Sequence, residues 1–272
     1  MDASSSIHVL LSGVTKNFES RLGRIEALGP VDVELRKGEF FAVVGPSGCG
    51  KSTLLDIIAA LARPSAGTVT FEGQSIGASV PDGIGVVFQE NACFPWLNVA
   101  DNITFGLRRQ PVDRAEIERR LQYALQLMGL TDFVRAFPAQ LSGGMRQRVC
   151  IARTLVMQPR LILLDEPFGA LDQQTRLLMG DELLRIWRAT GATILLITHA
   201  LDEAAMLADR VAVMSARPGR IMEVIETGWP RDRDSQNVAA PEFGTITARL
   251  WTLLREQSMQ ALRPSPAPRP ET

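Results

Sequence analysis

An α/β fold with a layered α/β/α core is predicted by three observations in the 272-residue sequence. Apolar runs rich in β-branched residues recur along it, a glycine-rich loop joins one of these runs to a helical stretch, and a block of helical spacing separates two groups of runs. The first group comprises Ile7–Val14, Glu39–Val44, Thr68–Phe71 and Ile84–Phe88, and the second Leu161–Leu164, Thr193–Thr198 and Arg210–Met214; all read as strands. Leu161–Leu164 and Ile194–Ile197 are apolar at every position, as expected of a parallel sheet covered by helices on both faces. From Asn91 to Gln158 the period becomes helical: in Arg114–Met128, Ile117, Leu121, Ala124, Leu125 and Met128 share one face. The block predicts a helical insert in the α/β core. Past Trp229 the polar run PRDRDSQN predicts a linker, Phe243–Leu254 resumes amphipathic spacing, and the proline-rich RPSPAPRPET is expected to be disordered.

Composition sets the class. Apolar residues make up 46% and charged residues 22%, ordinary globular usage. The 29 basic and 30 acidic side chains nearly cancel, which gives no general drive toward nucleic acid or anionic lipid. Cys49, Cys93 and Cys150 are odd in number and lack metal-ligand spacing, so they read as reduced thiols and favour the cytosol. The stretch MDASSSIHVL has neither a basic start nor an apolar centre, and no run of ~18 apolar residues occurs. The expectation is a chain that neither spans a membrane nor is secreted.

Gly45, Pro46, Ser47, Gly48, Cys49, Gly50, Lys51 and Ser52 follow the strand Glu39–Val44 and precede the helical run Thr53–Leu61. This strand–loop–helix setting is that of a phosphate cradle. Glycines let the backbone curl so that successive N–H groups point inward, and the helix presents its positive end to the same anion. Lys51 would reach the β- and γ-phosphates and Ser52 would ligate Mg²⁺, while Thr53 caps or packs. A cradle alone also fits kinases, GTPases and motor proteins. At the carboxyl end of Leu161–Leu164 stand two adjacent acids, Asp165 and Glu166, where open α/β sheets bind ligands. Alternation makes them diverge, so that Asp165 can hold Mg²⁺ through its water shell while Glu166 polarises an attacking water.

Leu141-Ser142-Gly143-Gly144-Met145-Arg146-Gln147-Arg148 resembles the signature sequence of ABC ATPases, and it sits just before the acid-ended strand as in that family. Read physically, Ser142 offers a hydroxyl, Gly143 and Gly144 offer bare N–H groups, and a helix starts there: a second phosphate-binding helix end. The resemblance, which runs from about Ile7 to Leu254, implies a P-loop NTPase of ABC type with an antiparallel β subdomain and a helical signature subdomain. It implies a nucleotide-binding core over 1–90 and 158–230, a helical insert with the signature over 91–157, and a C-terminal extension over 231–272. It also implies that Ser142, Gly143 and Gly144 close over ATP held by a second copy, so that two chains sandwich two ATP molecules head to tail.

Further positions match the family. Phe18 falls where an aromatic stacks on adenine, usually Tyr, though a lone aromatic there is as readily core. Gln89 matches the glutamine that touches Mg²⁺ and the attacking water, and His199 the switch histidine that contacts the γ-phosphate and steadies Glu166. Asp172 matches the loop that communicates across the dimer, whereas Ala200 replaces an acid often found after the histidine. His8 has no motif around it and reads as structural.

Phe94, Trp96 and Leu97 crowd a loop-like stretch after Gln89, as local core or as a contact patch; in the family this region receives the permease. VFQENACFPWLNVADNITFGL, LLDEPFGALD and PEFGTITARLWTLL look most like importers of the nitrate, sulfonate and taurine type. The implied role is that of an ATPase peripheral to the cytoplasmic face of the cell membrane, acting with separate permease subunits and, indirectly, a solute-binding protein. The solute stays open among nitrate, alkanesulfonates, taurine, bicarbonate and a thiamine precursor. The rival is a non-transport ABC ATPase acting on nucleic acid, against which the lack of a sustained heptad or a second cradle speaks.

Overall fold

Residues 6–20, 23–77, 79–89, 92–169 and 171–261 are described in the computed structural model. The chain opens with two long antiparallel strands, β1 (Ile7–Ser20) and β2 (Gly23–Arg36). Then come β3 (Phe40–Val44), α1 (Lys51–Ile58), β4 (Ala66–Phe71), β5 (Gln74–Ser75) and β6 (Ile84–Val87). The helical block holds α2 (Val99–Thr104), α3 (Arg114–Leu127) and α4 (Gly143–Leu155). β7 (Leu161–Asp165), α5 (Gln173–Thr190), β8 (Thr193–Thr198), α6 (Leu201–Leu207), β9 (Arg210–Met214), β10 (Ile221–Glu226) and α7 (Pro241–Ala261) complete the order.

Two sheets result among the described residues: an antiparallel one in the order β2-β1-β4-β5, and a six-stranded one in the order β10-β9-β3-β8-β7-β6. The latter is parallel except for its edge strand β10. Side-chain alternation explains how it is held. Phe40, Ala42, Val44, Ile162, Leu164, Ile194 and Leu196 pack into one core with α2 to α7, while Phe41, Val43, Leu161, Leu163, Leu195 and Ile197 pack into another. This second face is covered by α1 and the antiparallel sheet, not by helices alone as the apolar runs suggest.

β2 carries Gly29 and Pro30 and exposes its first four residues, so its pattern does not read as a strand. β10, half exposed at an edge, escapes for the same reason. The polar run after Trp229 is docked rather than free. Arg233 is 2% exposed, pairs with Asp209 at 2.8 Å, donates from Nε to the Leu207 carbonyl at 2.9 Å and lies over the Trp187 ring. Helix α7 packs on its own chain: Leu250 is buried, Phe243, Ile246 and Leu254 join the helical-side core, and Gln257 accepts from the Ala216 amide at 3.0 Å. The stretch from Arg263, expected to be disordered, lies outside the described residues. His8 is buried between Thr193 and Glu72, in keeping with a structural role.

Candidate functional site

The parallel strands β3 and β7 end side by side with β8, and the segments that leave their carboxyl ends build the site. After β3, residues 45–50 curl into α1, and the curl depends on glycine at two points. Gly48 has φ 73° and Gly50 φ 109°, and a Cβ on Gly50 would meet Leu28 Cδ2 at 2.7 Å and the Ala27 carbonyl at 2.9 Å. Helix α1 begins at Lys51, two residues before the helical run inferred from spacing, so Lys51 and Ser52 both lie in its first turn. Lys51 is buried, and its Nζ donates to the carbonyls of Gly45 at 2.8 Å and Pro46 at 3.0 Å. The ammonium is thus held inside the curl.

Ser52 Oγ donates to Asp165 Oδ1 at 3.2 Å, which joins the cradle to the end of β7. Burial pushes the Asp165 carboxyl up, reinforced by Glu166 and Asp56 and opposed by the Ser52 hydroxyl and Lys51. The next residue, Glu166, has φ 45°, a left-handed conformation that costs a non-glycine residue roughly 1–3 kcal/mol. Its amide donates to the Ile197 carbonyl at 2.8 Å, which fixes this turn against β8. Two side chains converge on one carboxylate oxygen: Gln89 Nε2 donates to Glu166 Oε2 at 3.1 Å, and His199 Nδ1 lies 3.1 Å from the same atom. Among the described residues no side chain bonds to Oε1.

A cleft of about 530 Å³ lies over the cradle, lined by Phe18, Ser47, Gly48, Gly50, Lys51, Ser52, Thr53, Gln89 and Glu166, with Ile25, Ala27 and Arg217; His199 lines an adjoining cavity with Gly45, Pro46 and Ser47. Phe18 is 44% exposed on β1, with Lys16 Nζ 5.1 Å from its ring centroid, so it belongs to the cleft wall and not to the core. Cys49 points away into the core, where burial pushes its thiol up. A cavity of similar size, about 540 Å³, lies elsewhere, walled by His8, Arg119, Tyr123 and Arg160. It contains none of these groups.

The signature residues stand apart from the cradle. Ser142 caps α4, its Oγ accepting from the Met145 amide at 3.3 Å, and Gly143 and Gly144 form the first turn. Gly143 opens on a neighbouring cavity of about 300 Å³ with Gln147 and Leu171, which shares Gln89 and Glu166 with the cradle cleft, and no signature residue of this chain lines the cleft itself. Asp172 caps α5, accepting from the Thr175 amide at 3.0 Å and its hydroxyl at 2.7 Å, and these bonds hold its carboxyl below the usual range.

Two residues that the motifs do not mark also matter. Arg217, also lining the cleft, donates to the Gly48 carbonyl at 3.0 Å; no pattern in the sequence points to it. Glu203, on α6, is buried, accepts from Thr198 Oγ1 at 2.5 Å and braces the turn that carries His199. Thr198 Oγ1 in turn accepts from the Ala200 amide at 3.0 Å. An acid among Ala204, Ala205 and Leu207 is the signal that could have revealed it.

Burial raises the Glu203 carboxyl to about 7, against relief from Thr198, Arg176 and His199. Because the folded state then binds this proton more tightly than the unfolded chain, stability falls as pH rises from about 4.5 to about 7. Glu203→Gln, which has no such proton to lose, is expected to melt above the parent at pH 8, and thermal scans should show the gap closing by pH 5.

The loop at 92–98 is hung from the helical block. Asn102, fully buried, accepts from the Phe94 amide at 2.8 Å and donates to the carbonyls of Phe94, Leu97 and Asn98. Arg153 of α4 donates to the Ala92 carbonyl at 2.7 Å and stacks over Phe94. Phe94 is therefore a local anchor, whereas Trp96 is 70% exposed. Glu90 and Asn91 lie outside the described residues. Among those residues no helix is long and apolar enough to cross a membrane.

A nucleotide-sized cleft at the carboxyl edge of a parallel sheet, with a lysine-bearing cradle facing an acid pair, defines a P-loop ATPase. Comparison with known proteins narrows the class. Residues 28–169 match the family model described as ABC transporter. The nitrate import ATP-binding protein NrtD of Synechocystis sp. is 40% identical over 255 residues, covering 92% of this chain and 96% of that protein. The taurine import ATP-binding protein TauB of Pseudomonas aeruginosa is 43% identical over 243 residues, covering 87% of this chain and 92% of its own length. Among solved structures, the dimeric post-hydrolysis state of an ATP-binding cassette bound to ADP and Pi aligns with TM-score 0.71 and 32% identity, over 80% of this chain and 98% of that one. The chain belongs to the ABC transporter family, as an ATP-hydrolysing subunit of importer type.

Proposed function

We propose that two copies of this chain sandwich ATP head to tail at the cytoplasmic face of the cell membrane and drive separate permease subunits. The cargo is a small solute, an anion such as nitrate, a sulfonate or taurine, delivered by a solute-binding protein. The observation that carries this reading is that the two phosphate-binding helix ends open on different, adjoining cavities of one chain: Lys51 on the cradle cleft and Gly143, next to the cap Ser142, on a neighbouring cavity that shares only Gln89 and Glu166 with it. Each copy supplies half of what a γ-phosphate requires, and a two-fold arrangement brings the halves together. The names of the relatives, nitrate import and taurine import, support uptake of a small solute of that kind, and the solved dimer supports the pairing. None of them supports action on nucleic acid.

Within the pair, Phe18 stacks on adenine, and the amides of 47–51 together with the N-terminus of α1 receive the phosphates. Lys51 exchanges the carbonyls of Gly45 and Pro46 for phosphate oxygens. Ser52 and Asp165, hard oxygen donors that already meet, together with Gln89 suit Mg²⁺, which neutralises phosphate charge when bound. Glu166, steadied at Oε2 by Gln89 and His199, takes the proton of the attacking water at Oε1. Ser142, Gly143 and Gly144 of the partner subunit complete the enclosure, and Asp172 carries the state of one site to the other. The α/β core is assigned to 1–90 and 158–230, the signature-bearing insert to 91–157 and the extension to 231–272. Trp96, on the loop at 92–98 beyond Gln89, presents the permease contact.

Steady-state phosphate release tests the cradle. Lys51→Ala is expected to lower kcat/KM for ATP by at least about 100-fold, the scale of removing one preorganised charge donor. An unchanged rate would remove Lys51 from the site.

A further inference from the structure

Two of the three cysteines lie against each other although 57 residues separate them: Cys93 Sγ and Cys150 Sγ are 3.6 Å apart. Cys93 stands on the loop that follows Gln89, and Cys150 in the middle of α4, the helix that Ser142 caps. We propose that this pair is an oxidisable dithiol, at which hydrogen peroxide closes a disulfide that fastens the loop to the signature helix and reversibly slows ATP turnover.

The two thiols are unequal in the way the chemistry requires. Cys93 is half-buried, and Cys150 is buried behind it. The contact between the two thiols, with Arg153 and Arg146 nearby, draws the Cys93 thiol down to about 7, while Cys150 itself is pushed well above its ordinary range. Cys93, the more exposed of the two and the one a peroxide can reach, is the nucleophile. Its thiolate attacks one peroxide oxygen, the O–O bond breaks, and hydroxide leaves with a proton as water, giving a sulfenic acid. Cys150 Sγ then attacks Cys93 Sγ, the S–O bond breaks, and the departing hydroxide takes the Cys150 proton as a second water. Overall two thiols lose two hydrogens and one peroxide becomes two waters. Closing from 3.6 Å to the ~2 Å of a disulfide continues an approach already made, since the Cys93 thiol also lies 3.4 Å from the Arg146 carbonyl of α4. Cys49 provides an internal control: it is buried in the opposite core, its thiol is pushed up, and no second cysteine lies beside it.

The bond would make the loop and α4 one body, so that Gln89 and the signature could no longer shift independently; this consequence for turnover rests on the function proposed above. The test uses the full, reduced chain treated with hydrogen peroxide and read by intact mass, alkylation mapping and phosphate release. Expected are a mass lower by two hydrogens, alkylatable cysteines falling from three to one with Cys49 the survivor, and a several-fold slower release that dithiothreitol restores. Cys150→Ser should turn over ATP normally, resist peroxide inhibition and accumulate oxygen adducts on Cys93. Oxygen adducts on Cys93 of the parent with Cys150 still alkylatable, or three free thiols after treatment, would overturn the dithiol. A fully formed disulfide with unchanged release would overturn its coupling to turnover. Mass and mapping do not depend on ATPase activity, so a chain inert toward ATP would count against the proposed function while leaving the dithiol to be decided by those readouts.

Discussion

Glu166→Gln is expected to lower kcat for ATP by at least about 100-fold while leaving ATP affinity within a few-fold of the parent. The amide keeps the shape of the carboxylate and can still accept from Gln89 at the position of Oε2, so the turn fixed by the Glu166 amide and the Ile197 carbonyl has no reason to move. What disappears is the proton acceptor at Oε1. Binding without turnover should trap the closed pair, and size exclusion with ATP and magnesium is expected to show a dimer that outlasts the parent's. Normal phosphate release from this variant would remove Glu166 from its role as base.

Ser142→Arg has the second large effect, and it acts through another molecule. Ser142 is exposed at the start of α4 and lines no part of the cleft that holds Lys51, so a long cation there leaves nucleotide access to the same chain untouched. Across a two-fold pair it would fill the space meant for the partner's γ-phosphate. Hydrolysis is expected to fall at least about 100-fold, with equilibrium binding of ATP to the isolated chain unchanged. Equal losses of binding and hydrolysis would mean that the residue supports its own chain's site instead.

Local forces made some features readable in the sequence, and distant partners hid the rest. The cradle was legible because strand, curl and helix are contiguous and each glycine answers a backbone requirement, as the left-handed Gly48 and Gly50 show. The acid pair was legible because a fully apolar strand ends on it. Other features depend on residues far along the chain. β2 forms despite Gly29 and Pro30 because β1 pairs along its length, from Ile7 with Arg36 to Ser20 with Gly23. Arg233, read as part of a solvated run, is buried because Asp209, the Leu207 carbonyl and the Trp187 face all meet it. The left-handed conformation of Glu166 and the brace from Glu203 to the His199 turn exist only once β7 and β8 lie side by side. Phe18, equally readable as an adenine platform or as core, is 44% exposed and so is not core.

The dependence of ATPase rate on chain concentration tests the central claim most directly, because a site assembled from two chains and a site contained in one obey different rate laws. Below the dimerisation constant the account predicts a rate per chain that rises in proportion to concentration and levels off once pairs dominate. A rate per chain that stays constant across that range, for a species shown by sedimentation to be monomeric, would contradict it.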